Sequence, residues 1–166
     1  MLFHFSEKPN IKEFIPRSTD GMPPVVWAID EEHAVNYFFP RDCPRVIYSR
    51  SDNISLEDKK LFFSHTSAKT IIAVETAWLE RIRNTTIYKY TFDNDGFTLV
   101  DEIAGYYINH STVLPITVEP ITDLIEKITS MDVDFRITPN LFPLRDAIIS
   151  STIDNFSIIR FRNANQ

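Results

Sequence analysis

Three glycines, at positions 21, 96 and 105, are all that this chain of 166 residues contains, and no two stand close together. A phosphate-cradling loop needs glycines at short fixed spacing, so the sequence has neither a GxxxxGK[ST] nor a GxGxxG motif. That argues against Walker-type ATPases and dinucleotide-binding Rossmann enzymes. Ten prolines punctuate the chain instead, and they cut it into short elements. Hydrophobic content of 43% at this length fits one globular domain spanning residues 1–166.

The remaining composition narrows the function classes. The net charge is −6, from 17 basic and 23 acidic residues, so generic nucleic-acid binding along a basic face is not expected. No apolar run approaches the ~18 residues that would span a bilayer. The single cysteine, Cys43, cannot form an internal disulfide, and no signal peptide is evident. Together these point to a cytoplasmic protein with no membrane partner.

The richest stretch is Val25–Tyr48, VVWAIDEEHAVNYFFPRDCPRVIY. It reads as a strand from Val25 to Ile29, Asp30 as N-cap, and a two-turn helix stopped by Pro40. A stiff turn, PRDCPR, then leads to a strand over 46–49. Trp27, His33, Tyr37, Arg41, Asp42, Cys43 and Arg45 crowd this region. Arg41 and Arg45 flank Asp42-Cys43, and guanidinium groups suit phosphate or carboxylate.

Around it, Leu2–Ser6 alternates as a strand that puts His4 on the face of Leu2. Residues 8–24 form a proline-rich loop, in the length range of lids and binding loops. Ser55-x-x-Asp58 is a capping box opening a helix to Ser64. Lys69–Glu75 reads as a central strand, and Thr76 caps a short helix. Thr86–Phe92 and Phe97–Val100, joined by Asp93–Gly96, form the clearest hairpin. Residues 104–110, AGYYINH, are a short irregular piece. Residues 112–118 are a strand at an edge or bulge, marked by Pro115. Pro120 opens a helix over 121–130. A strand over 133–138, a helix over 141–150 and a strand over 156–162 follow, the last with Ile158, Arg160 and Arg162 on one face. These give about seven or eight strands and four or five short helices in irregular order. The class is α+β, with a mixed, largely antiparallel sheet.

Several chemistries can be tested against the residues. His4, His33, His65, His110 and Cys43 show no close zinc-like spacing, so no metal site is expected. Cys43 between two arginines has a feature of a thiolate nucleophile, offset by Asp42 beside it. Asp30-Glu31-Glu32 fits a helix start and needs no catalytic role. A ribose-and-base pocket needs a strand histidine, an aromatic wall and arginines. His4, Tyr37, Arg41 and Arg45 supply those types.

LFHFSE, VWAID…YFFPRDCPR, IAGYY and TPNLFPLRDA…FSIIRFRNA together make the chain resemble a family of uncharacterised bacterial proteins of unknown function. LFHFS, followed by the strand VVWAID and a helix ending near Tyr37, also resembles the opening motifs of the ADP-ribosyltransferase fold, including its RNA 2′-phosphotransferase relatives. That resemblance implies an NAD or phosphoribosyl cleft. His4 would hold a ribose hydroxyl, Tyr37 and Trp27 would be aromatic walls, and Arg41 and Arg45 would engage phosphate. Tyr106, Tyr107 and His110 would close the far side, with His110 moving a proton near neutral pH. Arg145 would be a second phosphate or carboxylate contact. Where such transferases carry a catalytic glutamate, this chain has Tyr106, Tyr107, Asn109 and His110; Glu102 falls before that place and Glu119 after it. The other reading is a non-enzymatic interaction protein. The chain's many aromatic residues would then leave an apolar patch that makes a homodimer.

Overall fold

The computed structural model describes residues 1–165. The chain divides into two compact units, each assembled from two separate segments. The first combines Met1–Arg41 with Thr86–Thr122; the second combines Asp42–Thr85 with the chain from Asp123 onward.

The first unit is a six-stranded sheet. Its strands are β1 (Leu2–Ser6), β2 (Val26–Ile29), β5 (Ile87–Phe92), β6 (Thr98–Asp101), β7 (Tyr106–Asn109) and β8 (Thr117–Ile121), in the order β6-β7-β2-β1-β5-β8. All of its pairings are antiparallel. Leu2, Val26, Ala28, Tyr90 and Phe92 bury one face of it. Phe14, from the proline-rich loop, closes that core, with its ring 4.9 Å from Phe92 and 5.1 Å from Tyr90. This loop is pinned rather than free. Phe14 bridges to Val113 and Arg17 to Val25, and the Tyr90 hydroxyl donates to the Lys8 carbonyl.

The second unit has a four-stranded sheet of β3 (Arg45–Ser49), β4 (Thr70–Glu75), β9 (Val133–Thr138) and β10 (Phe156–Ile159), in the order β10-β3-β4-β9. Only the β4–β9 pairing is parallel. Both central strands are buried on both faces, which explains why they read as continuous apolar runs. Val46, Tyr48, Ile71 and Ala73 pack against helices α1 (Leu56–Phe63) and α4 (Phe142–Ile149) through Phe63 and Ile148. Helices α2 (Leu79–Asn84) and α3 (Leu124–Thr129) contact each other, and α3 lies on β9. The whole is α+β, with mixed, largely antiparallel sheets and short helices. Among the described residues, no helix is long and apolar enough to cross a membrane.

Several local expectations are corrected. Strand β5 does not return through Asp93–Gly96 to pair with the next strand: its neighbours are β1 and β8, while β6 pairs with β7. Every residue of β6 is exposed, and the strand lies at the outer edge of the sheet beside β7. Phe97 goes to the core instead and stacks on Phe92. The piece at 104–110 is an interior strand of the sheet, β7. Pro120 lies in the outer strand β8 opposite Tyr88, where a missing N–H costs no ladder bond. The helix after it starts later, behind Asp123, whose φ is +53°. The residues after Asp30 form a 3-10 helix over Ala34–Tyr37 rather than two α-turns. The last strand ends at Ile159 because Arg160 turns left-handed, at φ +53°, into a 3-10 helix at Phe161–Asn163. Arg160 and Arg162 therefore do not extend a strand face. The capping box is half formed. Ser55 Oγ accepts from the Asp58 backbone at 3.1 Å, but the Asp58 carboxylate accepts from Thr152 instead of reaching back.

Candidate functional site

The first unit carries seven of the nine residues singled out from the sequence, all except Arg45 and Arg145. Its key local feature is a fork between β1 and β2. Strand β1 pairs with β5 along its whole length, from Leu2 to Ser6. It pairs with β2 only at Phe3↔Ile29. Past that point His4 replaces the ladder. Its Nδ1–H donates to the Trp27 carbonyl at 3.0 Å, so the ring turns into the gap between the strands. A donor at Nδ1 leaves Nε2 as the acceptor of a neutral imidazole. Burial lowers the pKa of His4 from 6.5; the positive charge of Arg41 adds to this, and the Trp27 carbonyl opposes it. The ring is half-buried, 4.8 Å from Phe14.

Strand alternation then sorts the aromatics. Register sets Trp27 opposite Ile108, Ala28 opposite Tyr107 and Ile29 opposite Tyr106. Tyr107 packs on the core that holds Leu2 and Ala28. Tyr106 and Trp27 share the other face, with rings 5.8 Å apart. Tyr37, at the end of the 3-10 helix, reaches Tyr106 with hydroxyl oxygens 2.5 Å apart. Trp27, Tyr37 and Tyr106 thus form one cluster, and Tyr107 does not join it. Phe38 braces the 3-10 segment on Phe5 at 5.5 Å. The Arg41 backbone donates to Glu7 at 3.3 Å, which ties the end of this segment to the end of β1. His110 lies just past β7, exposed, about 10 Å along the strand from Tyr107 at ~3.3 Å per residue.

The two other arginines serve the second unit. Arg45 is 2% exposed and donates through Nη1 to the Cys43 carbonyl at 2.7 Å. Arg145 stacks on Phe142 and Phe161, at 4.7 and 4.6 Å from their centroids, and pairs with Asp146. Cys43 is fully buried, and burial pushes its thiol up to about 12 despite the charges of Arg45 and Arg81. The thiolate reading is therefore overturned: a group that stays protonated and sealed is not a nucleophile at neutral pH.

One pair was not recognised in the sequence as a unit. Asp30 Oδ1 accepts from both the backbone N–H of His33, at 2.9 Å, and its ring Nδ1, at 2.7 Å. The Asp30 backbone in turn donates to the Gly105 carbonyl at 3.1 Å. The D-x-x-H spacing is visible in the sequence, where Asp30 reads as an N-cap. Among the described residues, no group of three or more His, Cys, Asp or Glu side chains comes together to hold a metal ion.

The forked antiparallel sheet, with His4 against Phe14 on its core side and Trp27, Tyr37 and Tyr106 on the other face, defines an α+β protein organised around the IAGYY and VWAID strands. The chain belongs to a family of unknown function, DUF6886, whose model matches residues 3–164. No curated protein and no solved structure matches the chain.

Proposed function

We propose that the first unit binds an NAD-type or other phosphoribosyl ligand, in the manner of the ADP-ribosyltransferase-like fold that its opening strands resemble. The observation that carries this reading is the fork at His4. A neutral imidazole whose Nδ1 is fixed on a backbone carbonyl presents Nε2 to accept from a ribose hydroxyl. Across the fork, on the face opposite Phe14, Trp27, Tyr37 and Tyr106 supply flat apolar surface for a base or nicotinamide ring. Arg41, close enough to depress His4, supplies a cation for phosphate. Such a protein would be a transferase or glycohydrolase of the cytoplasm. Isothermal titration with NAD and with ADP-ribose tests it. The wild-type chain is expected to bind at least one of them, and His4→Ala to weaken that binding at least about tenfold, the loss of one desolvated hydrogen bond. Unchanged affinity in His4→Ala, or no binding by the wild type at millimolar ligand, overturns it.

A second reading has its own observation. Leu114, Ile116 and Val118, on the segment that leads into the outer strand β8, are 67%, 52% and 46% exposed. Such a strip is suited to a second copy of the chain, making a homodimer. Sedimentation velocity from 1 to 200 µM is expected to show a concentration-dependent dimer on that reading, and a strict monomer removes it.

A further inference from the structure

We infer that Asp30 and His33 form the proton-accepting pair of this site; the inference rests on the ligand reading above. Closing the turn from Asp30 to His33 requires only that the Asp30 carboxylate take the His33 backbone N–H. The second bond, from the His33 ring, goes beyond that turn. It fixes the Nδ1–H tautomer and leaves the Nε2 lone pair as a base, the arrangement in which a carboxylate orients an imidazole for proton transfer. His33 Nε2 makes no hydrogen bond among the described residues, and the side chains of His33 and Asp30 are 18% and 29% exposed, open enough to meet a ligand.

The neighbouring backbone is shaped to the pair. Gly105, at φ +70°, lies so close that a Cβ there would stand 2.6 Å from Asp30 Oδ2. The next residue is Tyr106, which joins Tyr37 and Trp27. Gly105 and Tyr106 thus link the pair to the aromatic cluster with no residue between. The competing groups lack this arrangement. His110 is exposed, and Glu119 is tied to Lys89 at 2.9 Å on β8.

The step is hydrolysis of a nicotinamide riboside bond. A water proton passes to His33 Nε2 as the water oxygen bonds to the anomeric carbon. The carbon–nitrogen bond breaks, its electron pair stays on the ring nitrogen, and neutral nicotinamide departs. His33 then releases the proton to solvent, so NAD⁺ and water give ADP-ribose, nicotinamide and H⁺.

The test runs wild type, His33→Ala and Asp30→Asn through ADP-ribose titration and a nicotinamide-release assay with NAD. Asp30→Asn keeps a side-chain oxygen to accept the His33 backbone N–H, which guards against a mere folding defect. His33→Ala is expected to bind ADP-ribose as the wild type does, to lose about 100-fold in kcat, and to regain part of it with added imidazole. Asp30→Asn is expected to lower kcat with KM unchanged. Wild-type binding with undiminished turnover in His33→Ala overturns the inference and leaves the ligand reading standing. So does wild-type binding with no nicotinamide release. Absence of wild-type binding overturns both.

Discussion

At His4, burial outweighs a well-placed carbonyl, and the ring is held neutral. The sign of its effect on stability follows. Between the lowered folded pKa and 6.5 the unfolded chain takes up a proton that the folded chain refuses, so stability rises with pH through that window and levels off above it. Urea melts from pH 5 to 7.5 are expected to show this slope, and His4→Gln is expected to flatten it. Cys43, sealed and with its thiol pushed up to about 12, is expected to resist iodoacetamide at pH 8 until the chain is unfolded; rapid labelling of native protein contradicts the burial. The glycines separate two costs. At Gly21, φ +78° with open space around it, alanine carries backbone strain of about 1 kcal/mol. Gly105→Ala adds a clash with Asp30 and is expected to cost about 2–3 kcal/mol and several degrees of Tm. Equal losses at the two positions would remove the argument for a tight fit at Gly105. The sequence singled out His4, Trp27 and Tyr37 because strand alternation and helix spacing are local. It could not sort Tyr106 from Tyr107, since which face of β7 meets the core depends on a partner strand some 80 residues earlier.

Among the elements, those legible in advance were stabilised by their own residues. The β4 strand was apolar from Ile71 to Val74, Ser55 capped α1, and Pro143 sat in the first turn of α4. The misread ones depended on distant partners. The turn at Asp93–Gly96 has strong hairpin chemistry, yet both edges of β5 are taken by β1 and β8, and long-range pairing won over the local signal. Glu75 shows the same dependence in side-chain form. Fully buried at the end of β4, it accepts from the Leu141 backbone at 3.0 Å, where α4 begins, and from the Asn165 backbone at 2.9 Å. Glu75→Ala is expected to cost about 3–5 kcal/mol, because it leaves two N–H donors without their carboxylate acceptor. Amide hydrogen exchange at Leu141 and Asn165 should accelerate most; unchanged protection there would show that the carboxylate is not their anchor.

For the whole molecule, the chain leaves and re-enters each unit, at residues 41–42, 85–86 and 122–123. A fragment of residues 1–85 contains β1 without β5 and β4 without β9, so it is expected to show no cooperative thermal transition, and a sharp melt for that fragment would contradict this division. The same interleaving has a consequence during synthesis. A ribosome delivers the chain from the N-terminus, and β1 then waits for a partner strand that begins at Ile87, while β4 waits for one that begins at Val133. From the end of β4 to the end of β8 the nascent chain therefore holds two half-built sheets whose open edges can accept any passing strand. Its yield in a cell should depend on chaperones that shield those edges until the second half of the message has been read.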